Sequence, residues 1–117
     1  MVKIVEGYPL RVKYEIKPGA HLNGAYLTGT NLKGENLEGA SLIGASLESV
    51  NLTRASLIGA SIERASIERA NLTGAKVKGV DFTRTLSVKG ANFTNAIGLD
   101  EKQKLYLKKN GALNVPE

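Results

Sequence analysis

With 117 residues, 42% of them hydrophobic, the chain is sized for a single domain with its own core. Aromatics make up only 5%, with two Phe and no Trp, so that core must come from small and medium aliphatics packed in a regular way. The absence of Cys excludes a disulfide framework, a thiolate metal site and a cysteine nucleophile, and a single histidine, His21, starves any histidine-based metal or catalytic triad. No run approaches 18 apolar residues and the first ten residues lack a signal-peptide core, so the expectation is a soluble, cytoplasmic protein without membrane association.

Residues 1–19 predict an N-terminal β cap. Leu10, Val12, Tyr14 and Ile16 alternate with Arg11, Lys13, Glu15 and Lys17, the period of a strand with one buried face. Residues 2–5 form a second candidate strand, Gly7, Tyr8 and Pro9 a turn between the two, and Pro18-Gly19 the exit.

From Ala20 the chain falls into five-residue frames: AHLNG, AYLTG, TNLKG, ENLEG, ASLIG, ASLES, VNLTR, ASLIG, ASIER, ASIER, ANLTG, AKVKG and VDFTR. Thr85 then interrupts as a one-residue insertion, and the frame resumes as LSVKG and ANFTN, so that fifteen frames cover 75 of the 117 residues, 20–95 less Thr85. The third position is always Leu, Ile, Val or Phe, the first is mostly Ala, the second mostly Asn or Ser, and the fifth mostly Gly.

First and third positions lie two apart and share one side of an extended chain. A fifth position tolerant of unusual φ lets the chain turn before the next pair. A helix does not fit a period of five with recurrent Gly. Short extended sides with a corner at every frame give a coil that closes on itself and stacks at about 4.8 Å. The spacing alone leaves the number of sides open. Asn51-Leu52-Thr53, Asn71-Leu72-Thr73 and Asn92-Phe93-Thr94 recur every fourth frame, whereas the two ASLIG frames lie only three frames apart.

The frame resembles that of the pentapeptide-repeat family, A(N/D)LXX with a central Leu or Phe, over residues 20–95. The resemblance implies an all-β solenoid, a right-handed four-sided β-helix of about four coils with four frames to a coil. Stacked third positions then form inward columns such as Leu22, Leu42, Ile62, Phe82 and Leu32, Leu52, Leu72, Phe93. Similar proteins carry small caps at both ends. Some members of the family mimic DNA and act on DNA gyrase, some giving fluoroquinolone resistance. A rod of about four coils at about 4.8 Å each is too short for that role, and a net charge of +5 has the wrong sign.

Residues 96–117 predict a C-terminal helix and tail. Asp100 can cap a helix with Gln103 at the capping-box position, and Gly111 reads as its stop. Leu99, Leu105 and Tyr106 or Leu107 are expected over the last coil near Phe93, with the tail 112–117 loose.

Thr85 is expected to bulge at a corner, leaving Leu86 and Val88 as an inward pair. The outward Asn31, Asn51, Asn71 and Asn92 are expected to stack as an amide ladder. His21 and Tyr26 read as surface residues near the cap, and Glu35, at an inward first position, as a carboxylate reaching solvent or a backbone amide where the first coil is open. The Asn-Leu-Thr and Asn-Phe-Thr runs match a glycosylation sequon only because the repeat produces them. Ile43 and Ile58 fall at outward fourth positions, on neighbouring faces of one coil, and border a candidate contact surface.

Regional net charges of +2 (1–19), +2 (20–95) and +1 (96–117) show no basic stripe, and no aromatic stacking platform is present. Specific nucleic-acid binding is therefore disfavoured, a weak nucleic-acid-associated basic protein being a second alternative to the gyrase modulator. No nucleophile–base pair, metal set or phosphate loop can be assembled, so neither catalysis nor a cofactor is expected. The reading is a non-catalytic scaffold or interaction module, a monomer or weak homodimer, with an unknown protein partner.

Overall fold

The N-terminal alternation yields a two-stranded antiparallel sheet, β1 (Lys3–Gly7) paired with β2 (Val12–Ile16) in the register Lys3↔Ile16, Val5↔Tyr14, Gly7↔Val12. The structure, a computed structural model, describes residues 2–117. The buried face is shorter than the alternation suggests. Val5 and Ile16 are buried and Tyr14 half-buried, but Leu10 and Val12 stay exposed. Leu10 belongs to the turn, which contains the cis Tyr8–Pro9 bond, and Val12 faces Gly7, which has no side chain to cover it.

From Ala20 onward, second-position residues pair in parallel with those one layer on: His21 with Ser41, Ser41 with Ser61, Asn31 with Asn51, Asn51 with Asn71. Between layers run regular hydrogen bonds, such as Ser41 N–H to the Ala20 carbonyl (2.9 Å) and Leu22 N–H to the Ser41 carbonyl (2.8 Å). Each corner closes when the next first-position N–H donates to the third-position carbonyl: Ala25 to Leu22, Thr30 to Leu27, Glu35 to Leu32, Ala40 to Leu37. These four corners separate His21 from its partner Ser41, which makes the layer four-sided. The two ASLIG frames sit on different sides of one layer.

The corners explain the fifth position. Nine glycines there, and Ser49, Arg54, Arg64, Arg69 and Asn95 at φ between 56° and 59°, adopt the left-handed region. Arg84 alone departs, within a 3-10 turn over Phe82–Arg84. Both third-position columns are at most 3% exposed throughout, with Phe82 and Phe93 edge-to-face at a centroid distance of 5.2 Å.

The extra residue is placed differently from the expectation. Thr85 takes the first position itself: its N–H closes the corner onto the Phe82 carbonyl and its Oγ1 donates to the same oxygen at 2.7 Å, as Thr30 Oγ1 does to the Leu27 carbonyl. Leu86 is 75% exposed and does not pair inward with Val88. The bulge is Leu86–Ser87 opposite Ser66. Leu86 N–H donates to the Ala65 carbonyl while the Ser87 carbonyl accepts from Ile67 N–H, so two residues span one ladder position. A first position has room for Thr but not for Leu, which decides which residue is extruded. Deleting Leu86 is accordingly expected to shift the melting temperature little or upward. Deleting Thr85 instead forces Leu into the corner and is expected to cost about 1–3 kcal/mol. Equal losses in thermal melts of the two deletions would refute this placement.

α1 (Glu101–Lys109) begins at Asp100, whose carboxylate accepts from Gln103 N–H at 2.8 Å. The Gln103 side chain does not complete a capping box. Its Oε1 accepts from Phe82 N–H at 2.7 Å and its Nε2 donates to Asp81 at 3.3 Å. A side-chain amide thus stands where the next layer would offer a backbone carbonyl. Gln103 and Leu107, one helical turn apart, are buried, with Leu99 and Tyr106 partly buried against the core. Leu105 is 56% exposed, because two residues from Leu107 places it on the opposite face. The helix ends at Asn110 with Gly111 left-handed and Ala112 N–H donating to the Leu107 carbonyl, the 6→1 bond of a Schellman motif.

The tail is docked, contrary to expectation. Leu113 pairs in parallel with Asn92, the Gly111 and Leu113 carbonyls accept from Gly90 and Phe93 N–H, and Lys108 holds Glu117 at 3.0 Å. Unpaired donors of the last layer draw the segment back.

Candidate interaction surfaces

Inward positions are filled by the chain's own Ala, Leu, Ile, Val and Phe, so whatever this molecule does chemically falls to the outward second and fourth positions and to the ends. On one side the outward residues are Asn and Thr. The expected amide ladder does not form there. Asn51 Oδ1 accepts from both the N–H and the Oγ1 of Thr53 (3.1 and 2.6 Å), Asn71 does the same with Thr73, and Asn92 with Thr94. A backbone donor two residues away is already in place for a local Asx turn, and an amide from the next layer joins it only at Asn92, whose Oδ1 also accepts from Asn114 Nδ2 at 3.2 Å. Asn31 follows with Lys33 N–H. The sequon pattern is thus a corner-stabilising pair. Asp81 makes the same motif with Thr83, and the Thr83 hydroxyl bond, with backbone and Gln103 donors assisting, holds its carboxyl below the ordinary range despite partial desolvation.

Glu35 keeps 26% of its side chain exposed to solvent and reaches no amide, meeting instead the ammonium of Lys3 in β1 at 3.2 Å, and Lys3 also donates to the Asn31 carbonyl at 3.0 Å. A first-position carboxylate is accommodated because the first layer has no layer before it. Tyr26 N–H donates to the Tyr14 hydroxyl at 3.1 Å. His21 is exposed and borders a groove of ≈ 240 Å³ lined by Lys13, Tyr14, Glu15, Lys17, Ala20 and Leu22. Sequence reasoning gives His21 as surface alone; the signal for the groove is that Pro18-Gly19 takes the chain into the first layer immediately after β2.

Ile43 and Ile58 lie half-buried at outward corners of one layer, on neighbouring sides. Ile43 is stacked between Asn23 and Glu63, and Ile58 between Glu38 and Lys78, so each interrupts a polar column. The structure does not bring them together with His21 or Glu35 into one pocket. Leu86 escapes sequence reasoning as an outward apolar group, because the frame break reads one residue too early.

Among the described residues no group of three His, Cys, Asp or Glu side chains is placed to hold a metal ion, and no helix is long and apolar enough to cross a membrane. The arrangement defines a class: a parallel-paired repeat solenoid with a self-filled interior. A family model of pentapeptide repeats matches residues 20–57 and 51–86, in 8 copies, and the chain belongs to that family, whose fold is a right-handed β-helix. No curated protein matches. Among solved structures it is similar to the pentapeptide repeat protein Rfr23 from the cyanobacterium Cyanothece 51142, at 31% identity and a TM-score of 0.44 over 59% of this chain and 54% of that one. It is similar also to a pentapeptide repeat protein of the Arabidopsis thaliana thylakoid lumen, with 28% identity and a TM-score of 0.30 over 78% of this chain and 81% of that one. A third likeness is to a trypsin-treated variant of QnrB1, a plasmid-mediated fluoroquinolone resistance protein, with 18% identity and a TM-score of 0.36 over 68% of this chain and 54% of that one. The chain spans about half the length of Rfr23 and of QnrB1.

Proposed function

We propose that the protein is a rigid, non-catalytic scaffold of about four right-handed coils, closed by the β1–β2 hairpin at one end and by α1 at the other, that binds another protein through its outer faces. The filled interior carries this reading: with every column of first and third positions packed, recognition is left to the surface. Ile43 and Ile58 are the favoured contact residues, since they stand where Asn, Thr, Glu and Lys stand in other layers. Converting both to Thr, and in a second variant to Glu, is expected to leave the melting temperature nearly unchanged while weakening self-association in sedimentation and any pull-down by about tenfold. Unfolding of the Thr variant would make these side chains core instead, and unchanged association would remove them from the contact surface.

A further inference from the structure

The pairing between layers has a direction. Ala20 C=O and Leu22 N–H point to Ser41, so the N–H and C=O of His21 itself point the other way, toward the N-terminal end. In the next two layers the equivalent groups are occupied: Ser41 and Ser61 both donate to and accept from the layer before, and the ladder on this side lapses only at Asp81, where the 3-10 turn begins. The hairpin covers two sides of the first layer, where Tyr14 Oη takes Tyr26 N–H and Lys3 Nζ takes the Asn31 carbonyl. His21 and Asn36 are left out, their backbone groups without a partner among the described residues. His21 lines the groove together with Lys13 and Lys17.

We propose that this edge takes an extended acidic peptide segment, added as a β-strand on the His21 side of the first layer. An exposed strand edge supplies the backbone half of such recognition, and flanking side chains supply the selectivity. The charge selects the occupant. Lys13 makes no ion pair among the described residues, Lys17 is 3.1 Å from Glu15, and His21 adds a third nitrogen donor or acceptor, so the rim offers more cation than anion. Alternate carboxylates on the peptide would meet Lys13 and Lys17 while its backbone pairs with His21. Ile43 lies on the same side one layer on, but neither it nor Ile58 lines the groove. Binding at this edge rests on the proposed function only in that the chain binds proteins, so loss of binding at the Ile pair and at the His21 edge are distinguishable.

The test uses the full chain and three labelled octapeptides: alternating Glu-Thr, alternating Lys-Thr, and the Glu-Thr peptide with every backbone nitrogen methylated. By fluorescence anisotropy the Glu-Thr peptide is expected to bind saturably, the methylated peptide about tenfold more weakly, and the Lys-Thr peptide not at all. Lys13→Glu, an exposed change, is expected to weaken the acidic peptide about fivefold or more, with the fold intact by circular dichroism. Amide shifts on titration should centre on Lys13, Lys17, His21 and Leu22. Equal binding of the methylated peptide would show charge attraction without strand pairing and overturn the proposal. So would an absence of saturable binding to millimolar peptide, shifts centred elsewhere, or concentration-dependent self-association that moves the His21 amide, which would give the edge to a second copy.

Discussion

Phe82→Ala is expected to lose about 3–5 kcal/mol, a large part of the 5–15 kcal/mol available to a domain of this kind. Phe82 is fully buried at the top of the Leu22, Leu42, Ile62 column and meets Phe93 edge-to-face. Its N–H is also the donor that holds the Gln103 side chain, so the cavity opens where α1 rests. Packing and helix seating should fail together. Phe82→Leu is the control, because Leu already serves in this column two and three layers below. It should keep most of the packing and lose about 1 kcal/mol, much of it the aromatic pair. Urea denaturation checks both. A loss under 1 kcal/mol for the alanine variant would mean that α1 does not depend on this side chain.

Gly7→Ala should be almost as damaging, for the opposite reason. A methyl on Gly7 would land on the Tyr26 carbonyl oxygen, with the Tyr14 ring beside it at 2.9 Å. A carbonyl fixed in the first layer cannot move aside as a flexible side chain could. The hairpin must lift, taking with it the Tyr14–Tyr26 bond and the Lys3–Glu35 pair, at a cost of about 3 kcal/mol. Gly29→Ala provides the comparison: at φ 71° its new methyl meets open space and incurs only backbone strain, about 1 kcal/mol. Hydrogen exchange should show β1 and β2 amides losing protection in the first variant and keeping it in the second. Equal effects would place the clash wrongly.

The repeat is legible because one constraint is restated fifteen times. A third position that is always apolar and a fifth that tolerates left-handed φ name the side and the corner directly, and the residues of both columns are buried. The local departures are not legible for a common reason: each is decided by competition among neighbours. Thr85 and Leu86 are adjacent, and only the size of the corner says which is extruded. Asn51 could bond upward or along the chain, and the shorter reach to Thr53 wins. Gln103 matches a capping box, but the orphaned Phe82 N–H draws its amide away. The groove at His21 depends on which first-layer groups the hairpin leaves uncovered, a matter of docking between segments that no local pattern encodes.

The four corners per layer make the angle between the two ends a function of chain length. Adding four frames would lengthen the rod by one layer and leave β1 and α1 facing as they do now. Adding a single frame would keep every inward residue inward yet swing α1 a quarter of a revolution about the axis. The bulge at Leu86–Ser87 escapes this arithmetic, since its residue is absorbed within one side. Length in whole frames therefore acts as a rotary setting. Surfaces carried by the two ends can be re-aimed at one another without touching the core that joins them.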